Sequence, residues 1–132
     1  MKRIVLDTNV VVSAFLVPDG KPAAILRLAM RGDYEVCFCT AILAEYEQVL
    51  CRPKFAVKIP HSTIHRFFEL LRNMGTDIIS VPSIIEMPDE TDRIFYDTAK
   101  ASGALLITGN TRHFPDEPFV LTPHQFIESH IN

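Results

Sequence analysis

The feature that most constrains the fold is a short apolar run, Arg3 to Leu6, which ends in the polar triplet Asp7-Thr8-Asn9. The run is too short for a helix, and it is typical of a central strand that is covered on both faces. Asp7 then follows the carboxyl end of that strand, where open α/β sheets place their ligand sites. Alternatively, Asp7 only caps the next helix, since Asp is a favoured capping residue. Further acids at the same edge would favour a site.

Strand-like and helix-like segments alternate along the rest of the chain. We predict further strands at 35–39, 78–81, 104–108 and 119–121. We predict helices at 9–15, 22–31, 41–50 (capped by Thr40), 61–74, 89–102 (capped by Asp89) and from 123 onward, where Thr122 to Gln125 form a capping-box start. This alternation predicts an α/β fold, a three-layer α/β/α sandwich with a central parallel sheet. At this length we expect a single domain, residues 1–132.

Composition narrows the class of protein. A net charge of -3 argues against a protein that grips nucleic acid by bulk positive charge, so a polyanionic substrate would need local bases or metal ions. Three cysteines without paired spacing are typical of reduced thiols in the cytosol. No apolar stretch approaches the length of a membrane span, and the start does not resemble a signal peptide. We therefore expect a cytoplasmic protein with no membrane partner.

Several other acids are placed to join Asp7. Asp92 follows Asp89 by three residues at a predicted helix start, so both lie near the positive end of the helix dipole. Glu45 and Glu47 flank opposite margins of the apolar face of helix 41–50, and periodicity does not choose between them. Each of these acids has the alternative of being a solvated surface residue.

The remaining charged residues give weaker signals of a functional site. Asp97 lies about 140° around the helix from Asp92 and four residues from Arg93, so we expect a surface ion pair and exclude Asp97 from the site. His61 and His65 lack further ligands at zinc spacing. Between residues 51 and 72, five basic residues accompany one acid. This excess of positive charge either steers an RNA backbone or belongs to a solvated helix face.

Four motifs in this order resemble the PIN-domain family over nearly the whole chain. They are Ile4 to Ser13 around Asp7, Ile42 to Glu45, Pro88 to Asp92, and Leu106 to Phe114 with the sequence LITGNTRHF. The resemblance implies an α/β/α fold and a metal-dependent ribonuclease. Many small members of the family are the toxins of VapC-type toxin–antitoxin pairs.

The resemblance also implies roles for individual residues, and it selects Glu45 over Glu47. Its catalytic, metal-binding acids would be Asp7, Glu45 and Asp92, with Asp89 as an outer contributor. Many members carry a further acid where this chain has Asn110, which offers only an amide oxygen to a metal. The matching small polar positions are Thr8, Asn9, Ser13 and Thr108, whose alternative role is ordinary capping. Arg112 and His113, next to Asn110, are candidates for contacting substrate phosphate.

Clustered carboxylates raise one another's pKa values unless a cation joins them, and oxygen ligands favour Mg²⁺ or Mn²⁺. Such an ion supports phosphodiester cleavage by activating water and stabilising negative charge. The expected partners are an RNA substrate, an antitoxin and a second copy of the chain, the last through apolar faces of helices 23–30 and 62–74. One alternative is a catalytically weakened PIN-like module that binds RNA or protein. A phosphoacceptor receiver domain is disfavoured, since the required Asp and Lys are missing after the third and fifth predicted strands.

Overall fold

A computed structural model of the chain describes residues 2–130, in which five parallel strands form one sheet in the order β3-β2-β1-β4-β5. The strands are β1 (Arg3–Leu6), β2 (Glu35–Phe38), β3 (Thr76–Asp77), β4 (Leu105–Ile107) and β5 (Val120–Leu121). The helices are α1 (Thr8–Leu16), α2 (Lys21–Met30), α3 (Thr40–Leu50), α4 (Pro53–Ala56), α5 (His61–Met74), α6 (Arg93–Ser102) and α7 (Pro123–His130). The predicted α/β fold with a central parallel sheet is confirmed. Met1, Ile131 and Asn132 of the predicted domain lie outside the described residues.

β1 is the centre of the sheet. Its residues Ile4, Val5 and Leu6 are buried, and it pairs with β2 on one side and with β4 on the other. The strand order therefore reverses direction between β1 and β4, which is where doubly wound sheets open a crevice at their carboxyl edge. Asp7 lies immediately after β1 and so borders this crevice.

The third strand lies earlier than predicted. The apolar pattern predicted residues 78–81, but β3 is Thr76–Asp77. Gly75 brings the chain against β2, since a Cβ at this position would lie 2.6 Å from the Phe38 ring. The Ile78 amide still donates to the Phe38 carbonyl oxygen at 2.7 Å, and beyond it the chain leaves the sheet. The prediction was wrong because only Ile78 packs against the core, whereas the side chains of Ile79 and Val81 are exposed.

The predicted N-terminal caps of α3 and α6 differ from the structure, and the predicted cap of α7 agrees with it. α3 includes Thr40, with Cys39 as its N-cap, so Thr40 is not the cap. Asp89 caps a 3-10 turn, Glu90–Asp92, and α6 begins only after it. The capping box of α7 is confirmed: the Gln125 side chain accepts from the Thr122 amide at 2.9 Å, and the Thr122 hydroxyl oxygen accepts from the Gln125 amide at 3.1 Å. The short helix α4 was not predicted.

The apolar faces of α2 and α5 pack inside the chain. Ile25, Leu26, Phe67 and Phe68 are all buried in the core. The alternative that these faces serve the core therefore holds for these four residues, whereas Leu28 and Leu70 on the same helices are half-buried. Within residues 2–130, no single helix is long and apolar enough to span a membrane. α1 and α2 would reach that length and composition only as a pair bent by 99°.

Asp97 is not the surface residue that the sequence predicted. It is buried, with 7% of its surface exposed, and its Oδ2 accepts a hydrogen bond from the Ser83 amide at 3.1 Å. Arg93 instead forms its ion pair with Glu90, at 2.7 Å. The side of α6 that carries Asp97 faces the segment that follows β3 rather than solvent. The helical wheel could not show this cover, so the predicted surface position was wrong.

Candidate active site

Asp7 is both a helix cap and a buried acid at the crevice, so the two interpretations of the sequence hold together. Its Oδ1 accepts from the Thr8 amide at 2.7 Å, and its Oδ2 accepts from the Thr108 hydroxyl, also at 2.7 Å. Only 5% of the residue is exposed. Burial raises the pKa of Asp7 above its ordinary value, although the hydrogen bonds from Thr108 and Thr8 act in the opposite direction. The carboxylate is thus fixed in orientation and costly to ionise.

Glu45 reaches the same edge from α3. Its carboxylate accepts a hydrogen bond from the Thr8 hydroxyl, whereas Glu47 is exposed. The neighbouring Tyr46 is fully buried, and its hydroxyl donates to the Leu6 carbonyl oxygen at the end of β1. Tyr46 therefore holds α3 against β1, a positioning role that was missed because the sequence pattern counted this residue only as part of an apolar face.

Asp92 completes the group from the N-terminus of α6. Its side chain is 15% exposed, and its pKa is raised to about 6, first by burial and then by the negative charges of Asp7, Asp89 and Glu45. Asp89 is exposed and caps its own turn, accepting from the Thr91 amide at 3.0 Å, and this hydrogen bond lowers its pKa. Asp92 therefore shares an electrostatic environment with Asp7 and Glu45, while Asp89 lies at the rim.

Asn110 acts as a local cap. Its Oδ1, the atom predicted to bind a metal, accepts from the Arg112 amide at 3.1 Å. Its Nδ2 lies 3.1 Å from Nε2 of His113, whose Nδ1 is 3.7 Å from Oδ2 of Asp92. The geometry links Asn110 to the acids through the imidazole of His113. The Arg112 side chain is exposed at the same rim.

A cleft of about 270 Å³ lies beside α1, and its lining is connected to the acids through His113, which lies 3.7 Å from Asp92. It is lined by Asn9, Ser13, Asn110 and His113 together with Val10, Pro22, Gly109 and Pro123. Asn9 is held in place because its Oδ1 accepts from the Gly109 amide at 3.1 Å. The predicted small polar residues Asn9 and Ser13 thus line a cleft, while Thr8 and Thr108 orient carboxylates.

The donor set is one of oxygens, the chemistry that Mg²⁺ and Mn²⁺ prefer. Among residues 2–130, however, no three His, Cys, Asp or Glu side chains come close enough to form a ready metal site. The hydrogen bonds from Thr8 to Glu45 and from Thr108 to Asp7 hold two of the acids as they stand. The residues fit a hard divalent cation in chemistry and charge, and binding one requires the carboxylates to draw closer.

Sequence comparison supplies the family. The profile described as PIN domain matches residues 3–112, most of the chain. The chain belongs to the PIN domain family. No curated protein matches this PIN domain in sequence.

Among solved structures, this PIN domain is similar to a chain from the crystal structure of VapBC2 from Rickettsia felis bound to a DNA fragment from their promoter. The match has a TM-score of 0.58 and 18% identity, and it covers 91% of this chain and 96% of the other. At that identity the likeness shows a shared fold.

Proposed function

We propose that this PIN domain is a divalent-metal-dependent ribonuclease that hydrolyses RNA phosphodiester bonds, and that it is the toxin of a type II toxin–antitoxin pair. The catalytic residues would be Asp7, Glu45 and Asp92, with Asp89 and Asn110 at the rim of the metal site.

The observation that carries this proposal is the electrostatic grouping of three acids at the switch point of the sheet. Asp92 has a pKa of about 6 because it is partly buried and faces the charges of Asp7, Asp89 and Glu45. Carboxylates that repel one another lower the stability of the fold unless a cation binds between them. Such a group is therefore typical of a cation site. Bound Mg²⁺ or Mn²⁺ would supply an activated water and stabilise charge on the transferring phosphoryl group.

The other residues of the site would position the acids and the substrate. Thr108 and Thr8 orient Asp7 and Glu45 through their hydroxyls. Arg112 and His113 lie at the rim, where a phosphate of the RNA backbone would meet their N–H groups. The cleft of about 270 Å³ beside them is suited to a nucleotide next to the scissile bond, because unstacked RNA bases are recognised by ring faces and polar edges.

The toxin assignment draws on the fold shared with a VapBC2 protein, which was crystallised with its partner and with promoter DNA. We propose an antitoxin protein as the partner of this chain, a homodimer as its assembly and the cytoplasm as its location. Because Ile25, Leu26, Phe67 and Phe68 are buried in the core, the dimer would use other residues, and sedimentation at micromolar concentration measures whether it forms.

The deciding experiment is an RNA cleavage assay with Mg²⁺ or Mn²⁺, comparing the wild type with Asp7→Asn. We expect cleavage by the wild type, none with EDTA, and a loss of about 10²-fold or more in the variant. Asp19→Asn, a matched change in an exposed turn, should keep full activity. Equal activity of Asp7→Asn and the wild type would contradict the assignment of Asp7 as a catalytic residue.

A second candidate function is a PIN-like module that binds RNA or protein without cleaving it. The position of Asn110 favours it, since the side chain adds no charge and its oxygen already accepts from the Arg112 amide. Wild-type protein that binds single-stranded RNA but leaves it intact with both metals would support this alternative.

A further inference from the structure

A second cavity, of about 460 Å³, lies beyond the carboxyl ends of β2 and β3, away from the cleft beside Asp7. Its walls are the start of α3, the segment Asp77 to Ser80, and Ile94 and Asp97 of α6. The two cavities have no lining residue in common. This cavity therefore requires an explanation of its own.

Asp97 is the unusual residue of this cavity. It is 7% exposed, and Oδ2 accepts from the Ser83 amide, but Oδ1 is buried without a hydrogen-bond partner among the described residues. A buried carboxylate oxygen without a donor is unfavourable, and native structures rarely leave one. The position calls for a donor that this part of the chain does not supply.

The segment that borders the cavity exposes apolar side chains. We call residues 78–88, between β3 and the 3-10 turn, the connector. The exposed fractions of Ile79, Val81 and Ile84 are 94%, 86% and 102%. Several exposed apolar side chains within one short segment mark an interaction site more often than scattered ones do.

Hydrogen bonds from α6 nevertheless hold the backbone of the connector at Ser83 and Ile85. The Arg93 guanidinium donates to the Ser83 carbonyl oxygen at 2.8 Å and to the Ile85 carbonyl oxygen at 2.6 Å, while Asp97 accepts from the Ser83 amide. α6 thus holds residues 83–85 of the connector, while the side chains of Ile79, Val81 and Ile84 stay exposed. Backbone that is already held in place loses little conformational entropy when a partner binds.

Charge decides which partner fits. Residues 76–97 contain a single base, Arg93, whose guanidinium is already engaged by Glu90 and the connector. The acids of this segment are Asp77, Glu86, Asp89, Glu90, Asp92 and Asp97. A second copy of this face would place acids opposite acids, which is repulsive, whereas a basic segment would be attracted.

We propose that the connector and the cavity beside Asp97 form a docking surface for a segment of a different protein that carries branched apolar side chains and an arginine or lysine. The apolar side chains pack on Ile79, Val81 and Ile84, and the cation enters the cavity and donates to Asp97. This surface concerns a protein partner, and its use does not depend on RNA cleavage.

The test uses a short fluorescent peptide of alternating isoleucine and arginine, with full-length protein and anisotropy as the readout. We expect the wild type to bind it, and the same peptide with neutral citrulline in place of arginine to bind much more weakly. Ile84→Ser and Asp97→Asn should each weaken binding by about tenfold or more. Ile84 is fully exposed, so its variant remains informative even if Asp97→Asn is poorly folded.

Three matched controls locate the peptide. Val57→Ser removes an equally exposed apolar side chain elsewhere, Glu47→Gln removes an exposed acid of α3, and Asp92→Asn removes an acid of the candidate active site. Val57→Ser and Glu47→Gln should bind as the wild type does, and Asp92→Asn, which removes one of the six acids of residues 76–97, should weaken binding far less than Ile84→Ser does. Loss of binding in Asp92→Asn with retention in Ile84→Ser would place the peptide on the active site and overturn the proposal. A dimer in sedimentation that Ile84→Ser dissociates would assign the surface to self-association, which also overturns it.

Discussion

Thr108 donates a hydrogen bond to Oδ2 of Asp7 at 2.7 Å, although 101 positions separate the two residues in the sequence. Both are buried, and each lies immediately after a strand, Asp7 after β1 and Thr108 after β4. The hydrogen bond therefore crosses the switch point of the sheet. The orientation of the central carboxylate depends on the pairing of these two strands.

Thr108→Val should destabilise the protein by about 1.5–3 kcal/mol, because it removes a donor from a buried charged group. Thr98→Val is the matched control: Thr98 is equally buried, but its hydroxyl has no partner among the described residues, so the change should be neutral or stabilising. Urea denaturation measures both free energies of unfolding. Equal effects of the two changes would show that the Thr108 hydroxyl contributes nothing to Asp7.

Mn²⁺ should raise the melting temperature of the wild type, since a ligand that binds only the folded state stabilises it, by about 2.7 kcal/mol at a hundred times its dissociation constant. Asp7→Asn should abolish this shift, whereas Asp19→Asn should retain it. Differential scanning fluorimetry across a metal titration is the measurement. A full shift in the Asp7 variant would remove Asp7 from the metal site.

Glu45→Gln should lower RNA cleavage by about 10²-fold or more while the protein stays folded. Glu47→Gln makes the same change two residues away on the exposed side of α3 and should leave the rate unchanged. Initial rates with a single-stranded RNA, together with circular dichroism of both variants, give the comparison. If both lose activity equally, the side of α3 has been misassigned.

The metal-free protein should lose stability as pH rises from about 4 to about 6.5. The pKa of Asp92 is about 6 in the folded state and near 3.8 when unperturbed, so in this window the folded state binds more protons than the unfolded state. Below the window both states are protonated, and above it the full penalty applies, on the order of 1–3 kcal/mol. The raised pKa of Asp7 acts in the same direction.

Chemical denaturation at a series of pH values in EDTA measures this slope. Asp92→Asn should flatten it and should be more stable than the wild type near neutral pH. A wild-type stability that increases steadily through the same window would show that Asp92 is not held in the environment described.

Gly75→Ala should destabilise the protein by about 1–3 kcal/mol or more, because the new Cβ would lie 2.6 Å from the Phe38 ring and 2.9 Å from the Val36 carbonyl oxygen. Gly109→Ala is milder, since its Cβ would meet only the Asn9 side chain, at 3.4 Å. Thermal unfolding of the two variants ranks them. A smaller loss for Gly75→Ala than for Gly109→Ala would contradict the close approach of β2 and β3.

The sequence predicted those parts of the fold that local signals determine. β1 follows from an apolar run, and α7 begins with a capping box that both hydrogen bonds of Thr122 and Gln125 confirm. The third strand was misplaced because an apolar run in the sequence shows only which side chains are apolar, not which of them become buried. Whether another element covers Ile79 depends on the packing of α6 and the connector, which no local pattern contains.

The candidate site shows the same division. The helical wheel treated Asp92 and Asp97 as parts of one helix, but Asp92 lies in the 3-10 turn before α6, and the side of α6 on which Asp97 lies is covered by the connector rather than by solvent. Glu45 and Glu47 were indistinguishable on the helical wheel because the choice depends on Tyr46, which fixes the roll of α3 against the end of β1. The roles of all these acids in catalysis stay predictions.

The hydrogen bond from Thr108 to Asp7 also has a consequence for protein synthesis. The ribosome completes β1 first, yet its neighbour β4 and three residues that line the cleft, Gly109, Asn110 and His113, emerge only after most of the chain. A nascent chain lacking them exposes Asp7 without its donor and has no formed crevice. The candidate site therefore forms only late in synthesis, together with the pairing of β1 and β4.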